Sequence, residues 1–351
     1  MSFGVALATH NGQRHLGVQL ESLLRQSRLP DQVVIADDAS MDDTLLIAEA
    51  FKRSAPCRVD VLPSTKRHGP FGNFWRAIEA CETDFVAFCD QDDVWMPTKV
   101  EVCERALIGS GAWAAIHSVD AFRVTDTGGQ AREPDIRVPS ATVDGLCLAP
   151  TFVVHGMNMV IRKELMRLGS PVKECWDRWF DTVEQTRPVG NLDHWSHGHD
   201  TYALTIARML GPITLIPEVL ALWRSHDTNY TKASNWVQSP EISTSWGHGA
   251  RAGYHVLSRS CLDFRAMWHD PKCHTGLAEA RVSAVAEYYS RWATIWSARA
   301  TICERDAQWR TRLTGVWNVW IAGGYRGSFD GGLGARAFAR DALSLLRVGL
   351  T

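Results

Sequence analysis

The segment VAFCDQDDVW, residues 86–95, has the clearest chemical potential, because an apolar run ends there in Asp90, Asp92 and Asp93. Carboxylates this close together repel one another unless a positive group lies among them. Mg²⁺ and Mn²⁺ prefer oxygen ligands, and they commonly take one or two protein carboxylates plus water and phosphate oxygens. The segment therefore predicts a site for a divalent cation and a phosphate, although the same residues in a surface loop would form only a solvated turn.

A second segment of interest is HWSHGHDTYALTIARMLG, residues 194–211. Its H-x-x-H-x-H spacing, at His194, His197 and His199, would suit a metal if the segment formed a loop. No cysteine or second histidine pair supports a closed structural zinc site. Asp200 follows at the start of a predicted helix, where an aspartate often serves simply as a cap.

Alternating strands and helices in the first 110 residues provide the scaffold for these groups. Near-continuous apolar runs predict strands at residues 3–9, 32–38, 58–62 and 84–90. Such alternation is typical of an α/β fold with a mostly parallel sheet and helices on both faces. Ligands of such sheets bind beyond the carboxyl ends of the strands. The polar residues at those ends, which should share one crevice, are Thr9, His10, Asn11, Asp37, Asp38 and Asp90 to Asp93.

Helix boundaries in this half are predicted from apolar spacing and capping residues. A first helix is indicated by leucines at helical spacing, Leu16, Leu20, Leu23 and Leu24. Ser40, with Asp43 three residues later, predicts the start of a second helix, and Asn73 predicts the start of a third. Pro97 suits the first turn of a fourth helix.

The later part of the chain has a different pattern. Strands such as 113–119 and 158–162 are followed by two apolar runs near 213–226, and helical patterns dominate after residue 232. Residues 276–313 are predicted to form one long helix. The C-terminal segment is amphipathic, with arginines at 336, 340 and 347. It would either pack on the domain or lie on anionic lipid.

Composition excludes several classes of protein. The 351 residues include 37 basic and 39 acidic side chains, a net charge of −2, so there is no broad electrostatic reason to bind nucleic acid. No stretch approaches the roughly 20 apolar residues needed to span a bilayer. The nine cysteines are scattered without a C-x-x-C motif, which favours reduced thiols and a cytoplasmic location.

Residues 5–44 and 69–95 closely resemble glycosyltransferase family 2, the inverting nucleotide-sugar transferases with the GT-A fold. The resemblance runs in order along about residues 3–230. It implies a GT-A domain over 1–231, with a nucleotide-binding half (1–110) and an acceptor half (111–231), followed by a helical region over 232–351. The form FCDQDDVW is most similar to bacterial rhamnosyltransferases that build surface polysaccharides, including O-antigens.

The resemblance implies a role for each polar residue near the strand ends. Asp90, Asp92 and His226 correspond to ligands of Mg²⁺ or Mn²⁺. Two segments depart from the family pattern: His10 replaces a frequent tyrosine, and Asp227 and Asn229 replace a more usual Gly-Asn-Asn run. Asn73 would otherwise be only a cap, and Gly156 a turn glycine. The implied nucleotide-sugar ligands are Thr9, His10, Asn11, Asp37, Asp38, Arg67, Asn73, Asp90, Gln91, Asp93 and Gly156.

The resemblance also implies a mechanism, in which Asp200 is the general base that deprotonates an acceptor hydroxyl. The donor would be a nucleoside diphosphate sugar such as dTDP-rhamnose, and the acceptor a glycan or lipid-linked glycan at the inner face of the membrane. Peripheral membrane contact is therefore part of the expectation. Two alternatives stay open: a metal-dependent hydrolase using His194, His197, His199 and Asp200, and a relative that binds nucleotide sugar without turnover.

Overall fold

The computed structural model describes residues 1–124, 130–150, 152, 154–169, 173, 176, 198–226, 248–274, 276–304, 307–327 and 330–347. The chain divides into two compact units. The first unit is drawn from Met1–Val143, Val153–Arg167 and His194–Ala233. The second is drawn from Asp144–Phe152, Leu168–Asp193 and Ser234–Thr351, so the chain leaves the first unit and returns to it.

One mixed sheet forms the centre of the first unit. Within the described residues its main order is β3-β2-β1-β4-β9-β6-β10-β5, with β7 beside β6 and β8 beside β10. The strands from β3 to β4 are parallel, as are β6 and β10, while β9 is antiparallel to both of its neighbours. The strands are β1 (Phe3–Thr9), β2 (Gln32–Asp37), β3 (Arg58–Leu62), β4 (Phe85–Asp90), β5 (Val94–Trp95), β6 (Ala114–Val124), β7 (Gln130–Ile136), β8 (Ala141–Asp144), β9 (Met159–Arg162) and β10 (Pro212–Ser225).

The register of the central strands brings their polar ends together. Strands β1, β2 and β4 are almost wholly buried, as expected for strands covered on both faces. Thr9 pairs with Asp37, and Ala8 pairs with Asp90. The carboxyl ends of the three strands therefore lie at one edge of the sheet, and the predicted α/β fold is confirmed.

Helices of the first unit are α1 (Leu16–Leu24), α2 (Thr44–Ser54), α3 (Gly69–Ala80), α4 (Lys99–Ser110) and α5 (His199–Leu210). Three predicted helix starts are wrong. Helix α2 begins four residues after Ser40, whose hydroxyl instead donates a hydrogen bond to Asp37. Helix α3 begins before Asn73 and has Pro70 in its first turn. Helix α4 begins two residues after Pro97.

The two apolar runs near residues 213–226 form the single long strand β10 rather than two elements. Its pairing with β6 is irregular between Ile216 and Ala221, where Pro217 and Glu218 are exposed. Because proline has no backbone N–H, a bulge is where a strand tolerates it. The irregularity lets one strand continue to Ser225, next to the predicted metal ligand His226.

In the second unit the helices are α6 (His248–Trp268), α7 (Glu279–Ile302), α8 (Trp309–Ile321) and α9 (Ala335–Leu343). The single helix predicted over 276–313 is wrong, because α7 ends at Ile302 and α8 starts at Trp309. The core of this unit contains stacked aromatic rings, with Trp292 and Trp296 centred 5.3 Å apart. In the part of the chain that is described, no helix combines the length and apolar character that crossing a membrane requires.

Candidate active site

Two backbone segments at the edge of the sheet are joined by the side chain of Gln91. Its Oε1 accepts a hydrogen bond of 2.8 Å from the backbone N–H of His10, and its Nε2 donates one of 3.0 Å to the His10 carbonyl. A β-carbon at Gly12 would overlap the same amide, so the close approach requires glycine. Gln91 therefore fixes the loop after β1 relative to the carboxylates after β4.

Asp37 holds the turn after β2. One carboxylate oxygen accepts hydrogen bonds from the hydroxyls of Thr9 (2.8 Å) and Ser40 (2.6 Å), and the other accepts one from the Ser40 backbone N–H (2.9 Å). Asp37 and Thr9 are buried. Both predicted ligands thus lie at the predicted edge, where their hydrogen bonds shape the wall of the crevice.

Asp38 connects the end of β2 to the start of α3. Its carboxylate accepts hydrogen bonds from the backbone N–H groups of His68 (2.6 Å) and Gly69 (3.1 Å). This is the stabilising arrangement for a negative charge at a helix N-terminus. The half-exposed guanidinium of Arg67 lies 3.3 Å from the same carboxylate. Arg67 and Asp38 are therefore brought together, as the crevice prediction requires.

Asn73 and Asn11 bind neighbouring backbone. The buried side-chain amide of Asn73 donates to the carbonyls of Ala36 (2.8 Å) and Thr9 (3.2 Å), across the ends of two strands. Asn11 has a positive φ of 47°, which asparagine tolerates better than most residues, and its Oδ1 accepts a hydrogen bond from the backbone N–H of Met41 (2.9 Å). His10 lies between these groups, and its Nδ1 is 2.8 Å from the Asp38 carbonyl oxygen.

Asp92 and His226, two of the predicted metal ligands, lie in direct contact. The Nε2 atom of His226 is 2.7 Å from Oδ2 of Asp92. Arg224 supports the loop from β10: its Nε donates to the Asp92 carbonyl (2.8 Å) and its backbone N–H donates to Asp93 (3.2 Å). His226 lies beside the carboxylate cluster because β10 ends at Ser225, directly before it in the chain.

His15 is a functional candidate that the sequence did not reveal. Its ring is centred 4.7 Å from the ring of His226. Burial, together with the neighbouring charge of His226, lowers the pKa of His15 to about 4. The only sequence signal was a histidine directly before α1, in the loop that also contains His10.

The buried carboxylates of the cluster are costly to ionise. Burial raises the pKa of Asp90 to about 8, with further contributions from the charges of Asp92 and Asp200. Burial also raises the pKa of Asp93, whose Oδ2 has no hydrogen-bond partner among the described residues. A cation among these carboxylates would relieve both penalties.

Lys99 provides one positive group beside the cluster and was also missed. It is fully buried in the first turn of α4, donates a 2.6 Å hydrogen bond to the Met157 carbonyl, and lies 3.7 Å from the centre of the Trp95 ring. Burial lowers its pKa to about 8, while the charges of Asp93 and Asp90 act in the opposite direction. No feature of the sequence indicated a buried lysine at this position.

His199, which precedes Asp200, and the carboxylate of Asp90 flank Gly156. Asp200 lies in the first turn of α5, where its Oδ1 accepts a 2.7 Å hydrogen bond from the Thr201 backbone N–H. A β-carbon at Gly156 would be 2.5 Å from Nε2 of His199 and 3.6 Å from Oδ2 of Asp90. Glycine at position 156 therefore allows the start of α5 and the end of β4 to approach each other.

His199 is held by aromatic side chains. Its ring stacks on Phe74 with centroids 3.6 Å apart, and burial lowers its pKa to about 4. Its Nε2 has no hydrogen-bond partner among the described residues. His194 and His197, the other members of the proposed histidine cluster, lie outside the described residues, as do Asp227 and Asn229.

The oxygen and nitrogen atoms of the cluster suit a divalent cation, although the described residues do not form a complete coordination shell. Among the described residues, no group of three His, Cys, Asp or Glu side chains is arranged to hold a metal. The paired Asp92 and His226, and the Asp90 carboxyl that burial makes costly to ionise, fit a cation that takes few protein ligands. Mg²⁺ in particular is usually bound in this way, with phosphate oxygens completing its coordination.

Similarity to known proteins agrees with this architecture. Residues 5–169 match the family model described as Glycosyl transferase family 2. The dTDP-rhamnosyl transferase RfbG of Shigella flexneri is 36% identical over 110 residues, which are 30% of this chain and 38% of RfbG. An uncharacterized glycosyltransferase of Nostoc, alr2836, is 23% identical over 273 residues, covering 75% of this chain and 76% of its own.

Among solved structures, residues 1–349 of Staphylococcus aureus TarS match with a TM-score of 0.52 at 14% identity, over 98% of this chain and 91% of that chain. A second structure of the same TarS fragment, in complex with UDP-GlcNAc, matches equally well. These structural matches show the fold, and they confirm the GT-A-like architecture expected from the sequence. Over residues 5–169, the chain is therefore similar to glycosyltransferase family 2.

Proposed function

We propose that the protein is a metal-dependent, inverting glycosyltransferase that moves a sugar from a nucleoside diphosphate to a hydroxyl of a growing bacterial surface glycan. The proposal depends mainly on the relation between Asp90 and Asp200. These acids come from β4 and α5, yet they lie close enough for the charge of Asp200 to raise the pKa of Asp90. A donor bound at the carboxylates would therefore lie within reach of a base at position 200.

The donor-binding part of the site is the crevice at the ends of β1, β2 and β4. Loops held by Gln91, Asp37 and Asp38 would receive the nucleoside, with His10 and Asn11 at its edge. Arg67 is half-exposed beside the N-terminus of α3 and would meet a negatively charged part of the donor. The remaining proposed contacts are Thr9, Asn73, Asp90, Asp93 and Gly156.

Asp90, Asp92 and His226 would hold the divalent cation. When bound, Mg²⁺ or Mn²⁺ would act as a Lewis acid toward the diphosphate and stabilise its charge as it leaves. Arg224 would support this segment through its hydrogen bonds to the Asp92 carbonyl and the Asp93 carboxylate, and Lys99, bound to the Met157 carbonyl, would add a positive charge nearby.

Asp200 would accept the proton of the acceptor hydroxyl. As that oxygen bonds to the anomeric carbon, the bond from this carbon to the diphosphate oxygen breaks, and the nucleoside diphosphate leaves from the opposite face. One displacement inverts the anomeric centre. General-base assistance of this kind contributes about 10²–10⁴-fold in rate. The stacked ring of His199 would hold the first turn of α5 in position for this step.

The similarity to RfbG, which is named as a dTDP-rhamnosyl transferase, supports dTDP-rhamnose as the donor. TarS is named as a poly(ribitol-phosphate) N-acetylglucosaminyltransferase, so UDP-GlcNAc is the natural comparison. The acceptor would be a glycan or lipid-linked glycan, reached from the cytoplasmic side of the membrane.

The experiment is to incubate the protein with a panel of nucleotide sugars and a bacterial glycan-lipid extract, with Mn²⁺, Mg²⁺ or EDTA, and to follow the products by mass spectrometry. Consumption of one donor, with its sugar added to a lipid-linked glycan only in the presence of metal, supports the proposal. Release of free sugar without an acceptor identifies a hydrolase instead. Donor binding without turnover in every combination identifies a binding protein.

A further inference from the structure

Helix α8 exposes an unusual number of large apolar side chains. At 3.6 residues per turn they form one continuous stripe, about 120° wide, on one side of the helix. Each is between 46% and 66% exposed. This stripe, called here the tryptophan face, consists of Trp309, Leu313, Trp317, Trp320 and Ile321.

The opposite side of α8 already provides the helix with its core contacts. Gly315, Val316 and Val319 are buried there. An ordinary surface helix has one apolar face and one polar face, so a second apolar face needs an explanation other than packing within this unit. The three tryptophans alone expose on the order of 400 Å², taking about 250 Å² for a whole indole side chain. Exposed apolar patches of this size on monomers commonly mark interaction sites.

Helix α9 extends the same surface. Phe338 is partly exposed, and its ring centre lies 5.7 Å from that of Trp320. Leu343, at the end of α9, is exposed as well. The apolar surface therefore spans two helices of the second unit and is larger than one amphipathic stripe.

The charge of this region is strongly positive. Residues 307–347 contain six arginines, no lysine and two aspartates, a net charge of +4 in a chain whose total is −2. One aspartate, Asp341, is buried against Arg299, which leaves Asp330 as the exposed acid among the described residues of this segment. Arg310 points from the same arc of α8 as the tryptophans, and Arg336 is exposed on α9.

We propose that the tryptophan face, with Phe338 and the surrounding arginines, docks the protein onto an anionic lipid bilayer. Tryptophan favours the boundary between headgroups and acyl chains, and arginine is attracted to anionic headgroups. A helix of this kind lies in the plane of the interface rather than crossing it. This surface belongs to the second unit, so the inference does not depend on the proposed function.

A second copy of the chain is the less favourable occupant. In a twofold interface the same surface meets itself, so arginines would face arginines with one exposed acid to pair with them. Like charges brought together in this way oppose association. An anionic bilayer satisfies the apolar and the positive parts of the surface at once.

The test is co-sedimentation of the purified protein with vesicles of phosphatidylcholine alone or of equimolar phosphatidylcholine and phosphatidylglycerol. We expect binding to the anionic vesicles and at least about tenfold weaker binding to the neutral ones. The variant Trp317→Ser/Trp320→Ser should lose about tenfold or more in partitioning to anionic vesicles. Its matched control is Leu46→Ser/Ile108→Ser, which removes two exposed apolar side chains from α2 and α4 and should bind normally.

A charge variant keeps the test decisive if removal of the tryptophans impairs folding. Arg310→Gln/Arg336→Gln should weaken binding to anionic vesicles, whereas Lys52→Gln/Arg53→Gln, which removes two exposed charges from α2, should not. Circular dichroism and melting temperature confirm that each variant is folded. The proposal is overturned if the wild-type protein does not bind anionic vesicles, or if a variant and its matched control lose the same amount of vesicle binding. It is also overturned if the tryptophan variant binds vesicles normally and differs from the wild type only in being monomeric where the wild type is a dimer.

Discussion

The side chain of Gln91 pairs with the backbone of His10 through two hydrogen bonds, of 2.8 and 3.0 Å, in the way that one strand residue pairs with another. Gln91 belongs to the carboxylate segment, while His10 belongs to the loop after β1. The pair therefore continues the contact between β4 and β1 beyond the point where regular pairing stops at Asp90. These hydrogen bonds fix the positions of the two loops that would hold a donor relative to each other.

We expect Gln91→Ala to weaken donor binding about tenfold, because two backbone groups lose their partner and the loop after β1 is released. Isothermal calorimetry with the nucleotide sugar and Mn²⁺ measures this change. Gln308→Ala, at an exposed position before α8, is the control and should bind normally. Equal affinity for the Gln91 variant and the wild type would show that the paired loops do not shape the donor site.

Gly156→Ala should reduce turnover by about 10²-fold, because the new β-carbon would displace the His199 ring and with it the first turn of α5. His199 cannot yield easily, since it is stacked on Phe74. Gly109→Ala, in α4, is the matched control, because no atom lies within 4 Å of its added β-carbon. Steady-state kinetics and a thermal melt on both variants separate lost activity from lost folding.

Asp200→Asn should bind the donor with unchanged affinity and lose about 10²-fold or more in kcat, because the amide cannot accept the hydroxyl proton. The amide oxygen can still accept the hydrogen bond from Thr201, so the helix start is preserved. Asp330→Asn, at an exposed position of the second unit, should be fully active. Wild-type turnover by the Asp200 variant would remove this residue as the base.

Arg299→Met should lower the free energy of unfolding by about 3–5 kcal/mol, because Asp341 would remain buried with only the Tyr325 hydroxyl and the more distant Arg340 as partners. The side chains of Arg299 and Asp341 are nearly inaccessible and 2.9 Å apart, and burial raises the pKa of Asp341 even beside Arg299. The double variant Arg299→Met/Asp341→Leu should recover most of the loss. Urea unfolding of both single variants and the double variant measures the coupling.

The control for that cycle is Arg25→Met, which breaks an exposed ion pair with Glu21 and should cost less than about 1 kcal/mol. If Arg299→Met lowers the free energy of unfolding no more than Arg25→Met does, the buried ion pair is not important for the stability of the second unit.

The central strands were predictable because burial on both faces makes them continuously apolar. The strand at 3–9 has the predicted bounds for this reason. The strand at 58–62, at the edge of the sheet and less buried, also has the predicted bounds. Helix starts were less predictable because capping residues have other possible partners. Ser40 and Asn73 have the chemistry of caps, but the fold offers them Asp37 and the strand-end carbonyls instead.

At the site, the sequence identified residues whose role can be inferred from their neighbours in the chain, such as the closely spaced carboxylates. Lys99 and His15 carry no such signal, since each matters only through partners that the fold brings near. The break between α7 and α8 was missed for a similar reason. No proline interrupts residues 276–313, and the only glycine among them stands at their beginning.

The short segment Asp144–Phe152 has a consequence for how this protein can be divided. It belongs to the second unit, where Asp144 pairs with Arg281 and the Leu148 carbonyl accepts a hydrogen bond from Tyr288, although strands of the first unit stand on both sides of it in the chain. If the chain were cut near residue 231, the N-terminal fragment would contain Asp144 and Leu148 without their partners Arg281 and Tyr288. The C-terminal helices would in turn lack Asp144–Phe152. We therefore expect each half to be less stable by itself than in the whole chain.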